Sequence, residues 1–307
     1  MRALAPLAIV IVLFGCGSSR TSGVDGGNQS DAATADSGTV VGTDAGPVDP
    51  GAPSATVSFG PHPLGVGDER TVCVILDAGN PVARQVRAIR THLPQGSHHM
   101  IVYRTDMPVR ETPYPCFPFA DGGEAVFIAE TVEAELVYPE DAALEFSAHQ
   151  HIRLEIHEIN YTREPIDVRS SVTFEFHPPD APPRAPVEFL FTGNMSLTLP
   201  PRRETTVTSF HGVRDGARIF ALTSHTHSLG TYAAIHRARS ETDFDTPPLH
   251  ESTEWAEPPL NTFGPPLVLD PDEGLRLTCT YFNDRADTVS FGLDFEDEMC
   301  FLWAYYY

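Results

Sequence analysis

The sequence predicts an all-β protein of two β-sandwiches in tandem, and three observations carry that prediction. From residue 56 onward the chain runs in short apolar or alternating segments broken by Pro, Gly, Asp and Asn. No long segment keeps a helical period, and 28 prolines oppose helices. Residues 177–186, His-Pro-Pro-Asp-Ala-Pro-Pro-Arg-Ala-Pro, read as the connector between two bodies of ordinary sandwich size. The clearest strands are 71–76, 100–104, 152–158, 172–177, 187–191, 218–224, 231–236, 275–281 and 301–306. In 152–157, Ile152, Leu154 and Ile156 share one face and Arg153, Glu155 and His157 the other, which predicts a polar face open to a cleft. The run 218–222, Arg-Ile-Phe-Ala-Leu, is rich in β-formers and leads into Ser224-His225-Thr226-His227.

The N-terminus is of another kind. Met1-Arg2 and the apolar run 4–14 form a signal-peptide pattern, short for a membrane span. It ends in Leu13-Phe14-Gly15-Cys16, which resembles the lipobox of bacterial lipoproteins apart from the bulk of Phe14. That resemblance implies cleavage before Cys16 and a lipidated thiol; an ordinary secretory signal is the alternative, and both place the protein outside the cytoplasm. Residues 17–55 hold almost no large apolar side chains and read as a flexible tether. The expected organisation is therefore a signal peptide at 1–15, a tether at 16–55, and sandwiches at 56–180 and 181–307. The expected location is the cell envelope, with a lipid anchor on the extracytoplasmic side, at the outer membrane or cell surface.

Formal net charge is −22, and all 20 basic residues are Arg. Such a surface repels phosphate backbones and argues against nucleic acid as a partner. Beyond Cys16 the cysteines are Cys73, Cys116, Cys279 and Cys300, an even number that in an exported chain predicts disulfides. Three connectivities are possible. Separation in sequence favours Cys73–Cys116 and Cys279–Cys300, one in each sandwich, and no CxxC pair offers a thiolate zinc site.

Candidate chemistry lies among the histidines. His225 and His227, two apart on a strand, project from one face about 6.5–7 Å apart, within reach of one metal ion. His98 and His99 are adjacent, so both reach one metal only at a strand end or a distortion, which Pro94 and Gly96 upstream would permit. His157 stands on the polar face of 152–158. Met299 precedes Cys300; read as core it is unremarkable, but as a thioether beside two imidazoles it would favour Cu(I).

Five segments occur in order: Ser97-His98-His99-Met100, Arg153-Leu154-Glu155-Ile156-His157, His225-Thr226-His227-Ser228-Leu229-Gly230, Cys279-Thr280-Tyr281 and Asp297-Glu298-Met299-Cys300. Together they resemble the ascorbate-dependent type II copper monooxygenases, the family of peptidylglycine α-hydroxylating monooxygenase and dopamine β-monooxygenase, from about residue 66 to the C-terminus. Tyr138-Pro139-Glu140-Asp141-Ala142-Ala143-Leu144, Leu199-Pro200-Pro201-Arg202-Arg203-Glu204 and Glu155 look closer to the dopamine β-monooxygenase branch. The resemblance implies two jelly-roll-like sandwiches, each with a copper, facing across a solvent-filled cleft. It implies that His98, His99 and His157 bind the electron-supplying copper, and that His225, His227 and Met299 bind the copper where O2 reacts and form the catalytic set. It implies a small-molecule substrate hydroxylated at a C–H bond, with ascorbate or a similar reductant, and a Cys279–Cys300 bond that steadies Met299.

The departures bear on the substrate. In the peptide-hydroxylating branch an Arg, an Asn and a Tyr hold the peptide carboxylate where this chain has Thr223, Phe301 and Trp303. No Arg fork remains there for a carboxylate, and these three positions become weak substrate-contact candidates in an apolar, aromatic pocket; Trp303 reads equally well as core. The competing class is a non-catalytic copper-binding envelope lipoprotein. A zinc hydrolase fares poorly, since Met is a poor zinc ligand and no HExxH motif occurs.

Overall fold

Alternation of side chains along β-branched and aromatic segments gives strands wherever one face can be buried. The computed structural model describes residues 53–94, 97–117, 119, 122–294 and 296–307, and among them there are strands and turns but no α-helix. The fold is all-β, as the sequence predicts. The signal peptide, Cys16, most of the tether, and Gly96 lie outside the described residues.

The first half of the chain contributes β1 (Ser54–Leu64), β2 (Glu69–Asp77), β3 (Arg84–His92), β4 (Ser97–Thr105), β5 (Arg110–Pro115), β6 (Glu124–Ala129), β7 (Glu133–Val137), β8 (Ala142–Phe146), β9 (His151–Ile159), β10 (Ile166–Phe176) and β11 (Ala185–Pro186). One sheet has the order β1-β10-β3-β8-β11, with β7 also on β3; the other runs β5-β2-β9-β4-β6. The proline-rich connector ends in β11, which pairs in parallel with β8 through Ala185–Ala142 and Pro186–Ala143. The second half contributes β12 (Glu188–Gly193), β13 (Thr198–Leu199), β14 (Arg203–Gly212), β15 (Arg218–His225), β16 (Gly230–Ala238), β17 (Pro248–Ser252), β18 (Asn261–Val268), β19 (Gly274–Asn283), β20 (Val289–Ser290) and β21 (Phe301–Tyr306). Its sheets run β12-β21-β15-β18 and β14-β19-β16-β17, with β13 and β20 paired apart.

Strand β21 decides how the two cores relate. Its alternate residues Leu302 and Ala304 join the core of the second half, with Leu275, Leu277 and Tyr281 of β19. Trp303, Tyr305 and Tyr307 turn the other way and join Phe220 and Ala221 in the core built by the first half. The sheet containing β21 is therefore apolar on both faces, and one hydrophobic cluster runs from the first half into the second. The Tyr305 hydroxyl, fully buried, accepts the Ile128 N–H of β6 at 3.2 Å.

Both disulfides form as sequence separation favoured: Cys73–Cys116 ties β2 to the segment after β5, and Cys279–Cys300 ties β19 to the start of β21. The strands the sequence left unread are polar or narrow. In β3, arginines interrupt the buried positions Val86, Ala88 and Ile89; β14, rich in Thr, is half exposed along most of its length. Both are specified by their neighbours in the sheet rather than by apolar periodicity.

One expectation is corrected. The Arg153, Glu155 and His157 face of β9 is not open: these side chains are 2%, 0% and 6% exposed. The Arg153 guanidinium lies 3.9 Å over the Tyr103 ring, and the Glu155 carboxylate accepts from the Tyr103 hydroxyl at 3.0 Å and the Phe119 N–H at 3.1 Å. A strand flanked by β2 and β4 and covered by the segment carrying Phe119 keeps polar residues only by giving them partners.

Candidate metal centre

The pleat of β9 and a distortion in β4 set the first group of histidines. His157 lies opposite His99 in the β4–β9 ladder, and the register shifts between Ser97 and His99. That bulge lets the adjacent His98 and His99 turn the same way, which a regular strand forbids. The donor nitrogens of His98, His99 and His157 all lie within 4.8 Å of one another. His157 Nε2 lies 2.9 Å from Glu69 Oε1, which makes Nδ1 its inward-facing nitrogen.

The second group sits at the end of β15. His225 is its last residue, and the chain then turns through Thr226–Leu229 into β16. Gly230 is required there, because a Cβ would stand 2.2 Å from Thr226 Oγ1. His227 Nδ1 donates to the Asp297 carbonyl at 3.0 Å, making Nε2 its lone-pair nitrogen. His225 Nδ1 is hydrogen-bonded to the Glu130 carboxylate. Donor nitrogens of His98, His225 and His227 again lie within 4.8 Å of one another.

Glu298 joins this turn to Met299. Its buried carboxylate accepts the N–H groups of His227 at 3.0 Å, Leu229 at 2.7 Å and Met299 at 3.3 Å. Tyr281 donates to the Met299 carbonyl at 2.6 Å, and Cys300 anchors the next residue. Met299 then lines a small cavity, about 20 Å³, together with His99, His225, His227, Glu130 and the apolar side chains Ile101, Phe119, Ile128, Phe191, Leu293 and Trp303.

The family resemblance implied two ligand sets facing each other across a solvent-filled cleft. Here the five rings form one close group, largely buried, with half-buried His98 at its centre. The His98 ring centroid is 5.4 Å from His157, 5.9 Å from His225 and 6.0 Å from His227. His99 is 6.3 Å from His225. The bulge in β4 and the shared apolar cluster bring the two sets into one layer.

Of the three weaker candidates, only Trp303 lines the cavity; its ring is 5.7 Å from that of His225. Thr223 spends its hydroxyl on the Pro259 carbonyl at 2.9 Å, and Phe301 stacks on Phe191 at 5.0 Å. Sequence reasoning missed Glu69 and Glu130, which no motif marks. It quoted Glu298 only as part of the Asp-Glu-Met-Cys run. It also missed the His250 imidazole, which holds Ser224 Oγ at 2.8 Å on the far side of β15.

The donor set suits copper. Both His99 ring nitrogens are buried without a hydrogen-bond partner, at a cost of about 1–3 kcal/mol each unless something binds there. Five imidazoles and one thioether form a soft, nitrogen-rich set that fits copper better than magnesium or calcium. Burial keeps the rings neutral, which is the ligand form. It holds His98 down to about 2, with His225, His157 and His227 adding repulsion; it holds His225 down to about 4 and His227 down to about 3. A third group, Cys73, Cys116 and Glu155, has its sulfurs in a disulfide and offers no thiolate.

These shifts predict acid sensitivity of the metal-free protein. In the unfolded chain the three imidazoles take up protons near pH 6.5, whereas in the folded protein they do so only far lower. The unfolded state therefore binds more protons below pH 6.5, and stability falls as pH drops. Glu298 opposes this: burial raises it from 4.5 to about 7, so its contribution is greatest below pH 4.5 and is lost as pH rises to 7. Burial raises Glu130 and Glu155 as well, but it also lowers His99 and His157, so five imidazoles outweigh three carboxyls. The urea midpoint is expected to fall steadily from pH 6.5 to 4.5, and a flat profile would refute the neutral cluster.

Residues 202–307 match the sequence profile of the C-terminal domain of copper type II ascorbate-dependent monooxygenases. The segment includes His225, His227 and Met299. A search of curated proteins finds no match. Among solved structures, the STIV MCP is similar with a TM-score of 0.36 and 10% identity, covering 82% of this chain and 95% of that one. The major capsid protein P2 from bacteriophage PM2 gives 0.35 and 10%, covering 82% and 97%. Allantoicase from Saccharomyces cerevisiae gives 0.22 and 8%, covering 76% and 77%. Scores this low support no inference about fold or function.

Proposed function

We propose that this chain, whose residues 202–307 resemble the C-terminal domain of the copper type II ascorbate-dependent monooxygenases, is itself a copper monooxygenase that hydroxylates a C–H bond of a small organic molecule. O2 is the oxidant, and ascorbate or a similar reductant supplies two electrons, taken up with two protons, so that one oxygen atom enters substrate and the other leaves as water. The observation that carries this reading is the cavity that His225, His227 and Met299 line together under an apolar, aromatic wall.

His98, His99 and His157 would hold one copper, and His225, His227 and Met299 the other; copper there supplies one-electron redox chemistry and a site for O2. The protein's own part is to orient the donors through Glu69, Glu298 and the Asp297 carbonyl, and to exclude water. Two imidazoles and a thioether leave positions open for O2. Among the described residues no arginine lines the cavity, so an uncharged or amine-bearing substrate fits better than a carboxylate. The anchor at Cys16 and an envelope location belong to this proposal on the strength of the sequence alone.

The test is metal content and oxygen consumption. Protein lacking residues 1–16 is expected to load about two coppers per chain and to consume O2 with ascorbate and a panel of small aromatic and aliphatic amines, yielding hydroxylated product. Stoichiometric copper with no hydroxylation across the panel would favour the copper-binding lipoprotein instead.

A further inference from the structure

Glu130 is the residue of the cavity that neither the motifs nor the copper chemistry requires. It follows the last residue of β6, in the first half of the chain, yet its carboxylate is hydrogen-bonded to Nδ1 of His225, in the second half. Its side chain is 5% exposed, and it lines the cavity alongside His99, His227 and Met299. Ile128, two residues earlier, is held by the Tyr305 hydroxyl of β21, so the end of β6 is fixed against the second half from both sides. A buried carboxylate with no Arg ion pair among the described residues is an expensive way to hold two sheets together, and an apolar side chain would serve packing as well. Its geometry serves something else: an acceptor on Nδ1 selects the tautomer whose Nε2 carries the lone pair and fixes the plane of the ring.

We propose that Glu130 is a positioning residue that, from the first half of the chain, orients His225 as a copper ligand of the second. The inference rests on the reading of His225, His227 and Met299 as a copper site. It makes the second ligand set incomplete without the first half, so the two halves are joined at the site by a hydrogen bond as well as by packing.

The experiment uses the folded protein with copper alone. Cu(I) affinity is measured by competition with a chelator, and X-ray absorption reports the sulfur neighbour that marks the Met299 copper. In Glu130→Leu, one copper per chain is expected to weaken by about 10–100-fold with loss of the sulfur signal, while the other is unchanged. Glu130→Gln keeps an acceptor of the same size and is expected to lose only a fewfold. Unfolding of each metal-free variant is followed in parallel; should Leu not fold, Glu130→Ala, which adds no bulk, replaces it. Unchanged affinity and sulfur signal in the Leu or Ala variant would overturn the inference, as would equal losses in Gln and Leu. If instead His225→Ala leaves wild-type copper content and the sulfur signal intact, the copper-site reading itself fails, and the role of Glu130 with it.

Discussion

Met299→Ala is expected to lower O2-dependent hydroxylation at least about a hundredfold and to reduce bound copper from about two per chain to about one. The residue is 3% exposed and its backbone is held from three directions: the Glu298 carboxylate takes its N–H, Tyr281 donates to its carbonyl, and the adjoining Cys300 is bonded to Cys279. So much restraint around one thioether would be wasted on core packing, which tolerates a flexible methionine easily. Truncation to Ala also opens a void, at about 2–5 kcal/mol, and so confuses packing with ligation. Met299→Leu separates them, because it keeps nearly the same volume for under about 1.5 kcal/mol and lacks only the sulfur. Loss of turnover and of one copper in both variants is the expected result. Full activity in the Leu variant would remove Met299 from the site.

Glu298→Ala is expected to destabilise the metal-free protein by about 3 kcal/mol or more, measured as a shift in urea unfolding. Three buried backbone N–H groups lose their acceptor at once, and each costs about 1–3 kcal/mol if left unsatisfied. Burial raises the Glu298 carboxyl to about 7, so part of its hydrogen bonding is offset by desolvation at neutral pH. Glu298→Gln keeps a carbonyl oxygen for the Met299 and His227 N–H groups but turns an NH2 toward one donor; it should fall between Ala and wild type. Because the carboxylate spans the His225–Leu229 turn and Met299, the Ala variant should also lose affinity for the copper marked by sulfur. A variant that unfolds at the wild-type midpoint would show that these N–H groups find other partners.

Much of the site was legible in the sequence because its ligands sit in short local patterns. His225-Thr226-His227 marks its two rings by their i, i+2 spacing, although His227 falls in the turn just past the end of β15, and the pairing of cysteines followed from separation along the chain. The need for a distortion at His98-His99 could be argued from the pleat, and a bulge in β4 supplies it. Glu130 and Glu69 were not legible. Each is a single acidic residue without a motif, 95 and 88 positions from the histidine it orients, and only the fold brings it there. The same holds for the polar face of β9, whose alternation reads as solvent-facing until a covering segment buries it.

By itself the sequence determined the all-β class, the principal strands, both disulfides and the residues that could ligate copper, since these depend on local periodicity and on side-chain chemistry. Only the tertiary structure decided that the five imidazoles form one close group, that β21 feeds two cores, and that the distant carboxylates of Glu69 and Glu130 meet the outer nitrogens of His157 and His225. The physical reason is that tautomer, burial and distance between sets are properties of what packs against a residue, and the partners here lie in other sheets.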